Sequence, residues 1–191
     1  LLLGSVVAAY TLVGRAIATI ELTRANVAFG NGDIDAAEKA AQNSISFAPN
    51  AFAYQIEAGI ARARLNQIVT SPTMPQATAQ KAFQDALSAG INAALTATNL
   101  APSDYQNWLA LGNLYAQAVP LGVTGAYDSA STAYEKAKVL NPTNPQIPYI
   151  IAQLDIANKN TKAAQEDLKA AIALKQDYTA AIFLLSQLQV Q

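Results

Sequence analysis

Bulky and small apolar residues recur along this chain three and four positions apart, the spacing of one face of an α-helix. The clearest run is Trp108, Leu111, Gly112 and Tyr115, followed by Ala130, Tyr134 and Ala137 and closed by Pro142. The first set gives one helix a bulky face, and the second gives the next helix small residues that allow close approach. A proline then stops the pair, because its ring cannot continue a helix. Pro49, Pro102 and Pro142 close three such pairs.

The same pattern predicts the remaining elements. A first unit runs from about Ile20 to Pro49, with its turn at Gly30-Asn31-Gly32-Asp33 and Asp33 placed to cap the second helix. Ala37 and Ala40 are that helix's small residues. In the second unit one helix covers about Asn50 to Val69 and a loop covers Thr70 to Pro75. An unusually long helix then runs from Gln76 to Leu100. The third unit carries an insertion at about Val119 to Ala126, with Pro120, Gly122 and Gly125. The fourth has Ile151, Ala152, Ala164, Leu168 and Ala171. A last helix, Thr179 to Gln191, puts Ile182, Leu185 and Leu188 on one face.

This arrangement resembles the tetratricopeptide repeat (TPR), a helix–turn–helix unit of about 34 residues. The resemblance covers about residues 20–191 and is most specific in the third unit. It implies an all-α, right-handed solenoid of about four and a half helix pairs. Their bounds are about 20–49, 50–103, 104–144, 145–178 and a half unit 179–191, after an apolar N-terminal helix over residues 1–19. Two departures stand out: Gln176 where the family usually has proline, and Glu21 and Arg24 where it has apolar residues. Family positions of the concave binding groove fall on Tyr54, Ala58 and Arg62, then on Gln106, Leu109, Asn113 and Gln117. Further along they fall on Gln146, Tyr149 and Gln153, and on Phe183 and Gln187. Family members that clamp a terminal carboxylate do so with a lysine- and arginine-rich groove, whereas Arg62 is the one cation here. A neutral groove of Tyr, Asn and Gln suits an extended peptide or a saccharide, since amides hydrogen-bond both. A solvated groove with no occupant is the plainer reading.

Leu1 to Ile20 is almost wholly apolar, with Leu1, Leu2, Leu3, Val6, Val7, Leu12, Val13, Ile17 and Ile20, and Arg15 as its sole charge. Nine large aliphatic side chains at roughly 1.5 kcal/mol each represent about 13 kcal/mol of gross burial energy. Three coverings compete: a membrane that the segment enters, another subunit, or the solenoid's own surface. Repeat arrays finish with polar caps, and neither end of this pattern looks capped. Leu1, Leu2, Leu3, Val6, Val7, Leu12 and Val13 at one end, with Ile182, Leu185 and Leu188 at the other, are therefore the expected assembly interface. Such a contact is heterologous and gives a ring or a filament of copies; that more chain follows is the competing reading. An alternative rests on resemblance. The order apolar helix, short first unit, long helix and insertion, with Gly125-Ala126-Tyr127-Asp128, is similar to the TPR tail of bacterial O-antigen-ligase-like membrane proteins. That implies a membrane-tethered extracytoplasmic accessory domain of a bacterium.

Composition narrows the chemistry. Charged residues are 13% of the 191, and the net charge is −1, so no basic footprint for nucleic acid is present. The chain has no histidine and no cysteine. That excludes a Ser-His-Asp triad, a cysteine nucleophile and a His/Cys zinc site. Asp33-x-Asp35-x-x-Glu38 reads as acid at the positive end of a helix, not as a calcium loop, and Glu166-Asp167 as a solvated face. Gly30-x-Gly32 and Gly122-x-x-Gly125 follow no strand and read as interhelix turns. The expectation is a non-catalytic protein–protein interaction scaffold with no cofactor and no metal. Copies of itself are its expected partners, at the cell surface or outside the cell, with a membrane association through residues 1–20 as the alternative.

Overall fold

The computed structural model describes residues 2–71 and 74–189, with side chains from Thr11 onward. The regular structure among the described residues is helical. Its elements are α1 (Leu2–Gly30), α2 (Ile34–Phe47), α3 (Ala51–Thr70), α4 (Gln76–Leu100) and α5 (Tyr105–Ala118). After these come α6 (Ala126–Leu140), α7 (Gln146–Ala157), α8 (Thr161–Leu174) and α9 (Thr179–Gln189). The chain divides into two compact units, Leu1–Ala101 and Pro102–Gln191.

In the first unit consecutive helices pack, and α1 also touches α3. The contact surfaces are rich in alanine: Ala25, Ala37, Ala40 and Ala41 meet Ile56 and Ile60. Small side chains on α2 let it lie close to both neighbours. Ser44 is fully buried, and its hydroxyl donates to the Ala18 carbonyl at 2.9 Å, tying α2 to α1. Caps set where the helices begin. Asp33 Oδ1 accepts from the Ala36 amide at 3.1 Å, and Asn50 Oδ1 accepts from the Ala53 amide at 2.9 Å. Gly32 turns the chain with φ 79°, a conformation that a side chain opposes.

The apolar N-terminal stretch is not a separate helix ending at residue 19. α1 runs without a break to Gly30, because no proline or turn sequence interrupts it before Gly30-Asn31-Gly32. The continuation is polar, with Arg24 donating to Glu21 at 2.5 Å. Among the described residues no helix is long and apolar enough to cross a membrane. The side chains of Leu1, Leu2, Leu3, Val6 and Val7 lie outside the described residues. Leu12 and Val13 are 67% and 59% exposed.

In the second unit α5 packs on α6, α6 on α7, α7 on α8 and α8 on α9. One cluster joins Ala130, Tyr134 and Ala137 to Ile147, Ile151 and Leu154, with Trp108 and Tyr115 against it. A second joins Ala152, Ala164, Leu168 and Ala171 to Ala181 and Leu188. The Val119–Gly125 connection ends at Gly125, whose φ of 77° turns the chain into α6.

One carboxyl is buried between α6 and α7. Asp155 on α7 is 3% exposed, and Tyr127 at the start of α6 donates its hydroxyl to Asp155 Oδ1 at 2.6 Å. Removing that donor leaves a buried carboxylate short of a partner. Tyr127→Phe is therefore expected to lower unfolding stability by roughly 1.5–3 kcal/mol, the worth of a hydrogen bond to a charged group. Urea denaturation followed by circular dichroism measures this, and an unchanged midpoint would show that the bond contributes nothing net.

Candidate functional site

Two surfaces stand out, one in each unit: an aromatic and polar face in the second and a charged pocket in the first. In the second, Tyr149 on α7 sits with its ring 5.1 Å from that of Tyr178, tilted by 46°. Gln153, one turn on, donates Nε2–H to the Tyr149 hydroxyl at 3.3 Å. Lys175 Nζ lies 5.7 Å from the Tyr178 ring centre, within cation–π range. Partial burial, then the neighbouring Tyr149, raise the Tyr178 hydroxyl above its ordinary value, so it remains a neutral donor. On α9, Ile182 and Phe183 are 44% and 62% exposed.

The other expected groove positions are scattered. Gln106 is exposed and Gln117 half-buried on α5. Asn113 turns toward α6, where its Oδ1 accepts from the Tyr134 hydroxyl at 2.9 Å. In the first unit Tyr54 is half-buried and Arg62 exposed, while Ala58 is buried in the core. The apolar edge expected on α9 is rotated. Ala181 and Leu188 are buried, and Leu184 and Leu185 pack beside them against the α8 cluster, leaving Ile182 and Phe183 outward.

The second surface is a pocket of about 630 Å³ in the first unit, between α2, α3 and α4. Helical spacing builds it. Glu57, Ala61, Arg64 and Ile68 form one stripe of α3, Glu38 and Gln42 face it from α2, and Ala82, Ala86 and Ala89 face it from α4. Apart from Asp85 the α4 wall stops at Cβ, which leaves the space open. Arg64 donates from Nη2 to Glu38 Oε2 at 2.6 Å and to Asp35 Oδ1 at 3.0 Å. Its Nε–H is shut off from water and has no acceptor among the described residues. Asp85, on the rim, takes a bond from Lys81 at 2.9 Å. Asp33 caps α2, and Asp35 and Glu38 bind Arg64, so the acidic run reads as structure, not as ligands. Among the described residues no group of three or more carboxylates is placed to hold a metal ion.

Glu57 has no hydrogen bond or ion pair among the described residues. Burial, and then the nearby Glu38 charge, raise its carboxyl above the ordinary 4.5. A raised carboxyl contributes stability while protonated, and that contribution is lost as pH rises through its folded pKa. Glu57→Gln is therefore expected to raise Tm at pH 7 by about 1–2 °C, the small size reflecting solvent screening at a half-buried site. The gain shrinks as pH falls toward the ordinary carboxylate range. A fall in Tm at pH 7 would contradict this electrostatic picture.

No family model matches the sequence, and no curated protein does. Solved structures do match. A thermophilic TPR protein from Thermus thermophilus superposes with TM-score 0.69, at 14% identity, over 87% of this chain and 78% of that one. The Cut9–Hcn1 hetero-tetramer of the APC/C gives TM-score 0.66 at 16% identity, over 88% of this chain and 29% of that chain. The fold is the tetratricopeptide-repeat fold.

Within that TPR fold, α5 and α6 are the unit in which the sequence pattern is most complete, and Gly112 meets the Tyr134 ring there. The pocket in the first unit was not evident in the sequence. Its signal was present as Glu57, Ala61, Arg64 and Ile68 at helical spacing, opposite Ala82, Ala86 and Ala89. Without knowing which faces of α2, α3 and α4 meet, that stripe reads as an ordinary solvated face.

Proposed function

We propose that this chain is a non-catalytic interaction scaffold that assembles with copies of itself. The supporting observation is that each terminal helix exposes two large apolar side chains, Leu12 and Val13 on α1 and Ile182 and Phe183 on α9, among other exposed apolar residues spread along the chain such as Val69, Leu121 and Val139. A contact between α1 of one copy and α9 of another removes all four from water, at about 25 cal/mol per Å² of apolar area. Such a contact uses different surfaces on the two copies, so it repeats into a ring or filament. Tyr149 and Gln153 on α7 suit an extended peptide, since both offer hydrogen-bonding groups.

A photo-crosslinking residue placed at position 183 of the purified chain tests the assembly. The expected products are dimers and higher species, with the crosslink mapping to α1 of another copy. Leu12→Glu together with Val13→Glu should abolish them. Irradiation that leaves only monomer, or crosslinks that persist in the double variant, would overturn the reading.

A further inference from the structure

The pocket between α2, α3 and α4 has no part in that assembly. At about 630 Å³ it has the size of a ligand site and is large enough for a long side chain with some backbone. Its walls are half apolar, from Ile60, Ile68, Met74 and the α4 alanines. Its charge is unbalanced: Glu38, Glu57 and Asp85 line it against the single guanidinium of Arg64. Arg64 is already bound by Asp35 and Glu38, and Asp85 by Lys81. Glu57 alone lacks a counter-charge among the described residues. A half-buried carboxylate next to another carboxylate gains from any cation brought beside it, because the same low-dielectric setting that penalises the lone charge strengthens the pair.

We propose that this pocket takes an arginine side chain presented by a partner polypeptide. The guanidinium would pair with Glu57, and with Glu38 beside it, through its planar fork of donors. The aliphatic stem would lie along Ile60, Ile68 and the α4 alanines, as long cationic side chains do on apolar surface. The volume of about 630 Å³ exceeds what a free guanidinium fills, which speaks for a side chain carried on a polypeptide over a small cation. The site is distinct from the α1 and α9 surfaces, so either reading can fail alone.

Titration calorimetry on the full chain tests this with three probes: acetyl-Ala-Leu-Arg-Leu-Ala-amide, the same peptide with citrulline for arginine, and ethylguanidinium. The arginine peptide is expected to bind about tenfold or more tighter than either control, since citrulline removes the charge and ethylguanidinium the backbone. Glu57→Gln should weaken the arginine peptide about tenfold while the fold is retained or slightly stabilised, and Glu57→Asp should recover part of the loss. Ala86→Phe, which fills the cavity, should abolish binding with an unchanged circular dichroism spectrum. Phe183→Ala should leave binding as it is. Affinity should also rise with pH above the ordinary carboxylate range, as Glu57, its carboxyl raised by burial and then by Glu38, gives up its proton. The slope should vanish in Glu57→Gln, although Glu38, Arg64 and Asp85 still line the site from α2, α3 and α4, with Asp35 and Lys81 paired to them. No heat with millimolar arginine peptide, or equal binding of the citrulline peptide, overturns the proposal. Ethylguanidinium as tight as the peptide does so too, by making the pocket a small-cation site.

Discussion

Gly112→Ala is expected to destabilise the second unit by about 3 kcal/mol, although alanine is the better helix former by roughly 1 kcal/mol at a free helical position. The overlap decides the sign. A Cβ on Gly112 would run into Cδ1 and Cε1 of the Tyr134 ring. That ring cannot swing away, because Tyr134 is 2% exposed and its hydroxyl is held by Asn113 at 2.9 Å. Either α5 moves off α6 or the ring leaves its place in the cluster with Ala130, Ala137, Ile147 and Ile151. Trp108, the one tryptophan of the chain, lies against the same cluster and reports unfolding of this unit by fluorescence. Gly14→Ala is the matched control. Its Cβ would meet only the Phe47 carbonyl oxygen at 3.5 Å, an ordinary contact, so it should be neutral or stabilising by up to about 1 kcal/mol. If Gly112→Ala behaved like Gly14→Ala, the close approach of α5 and α6 would be wrong.

Leu168→Ala carries the other large effect. Leu168 is fully buried on α8, and the cluster around it is Ala152, Ala164, Ala171, Ala181 and Leu188. Truncating a buried leucine costs about 2–5 kcal/mol, more where the surroundings cannot collapse. The alanines have no side-chain torsions with which to fill the gap, whereas Leu188 and the partly buried Leu184, Leu185 and Ile172 packed against the cluster can relax into part of it, so a mid-range value of about 3 kcal/mol is expected. The melting temperature should fall by roughly 6–12 °C for a chain of this size. Because the same cluster joins α8 to α9, amide exchange in α9 should speed up more than in α5. A uniform change across the unit would instead mean that α9 is not docked through Leu168.

Local chemistry was legible in the sequence wherever one residue type has one physical use. Asp33 caps α2, Gly32 holds a positive φ, and the Gln76–Leu100 run is one long helix. Trp108, Tyr115, Ala130, Tyr134 and Ala137 fall into one cluster because their spacing fixes a shared face. What escaped depends on how helices are rotated. Ala58, expected on the groove, is buried, and Leu185 and Leu188, expected on an open edge, face α8. A rotation of one residue, about 100°, moves a side chain from surface to core, and sequence spacing alone does not set that angle. The end of the N-terminal helix was misplaced for a related reason. Hydropathy changes near residue 20, but no residue there breaks the helix, and backbone continuity follows the breaker at Gly30-Asn31-Gly32. The Glu57 pocket needs three helices placed together before its unbalanced charge becomes visible.

Assembly through α1 and α9 is tested most directly by negative-stain electron microscopy of the purified chain without detergent, beside Phe183→Glu. Regular filaments or rings for the unchanged chain, and dispersed particles for the variant, are the predicted result. Dispersed single particles for both, at every concentration examined, would contradict it.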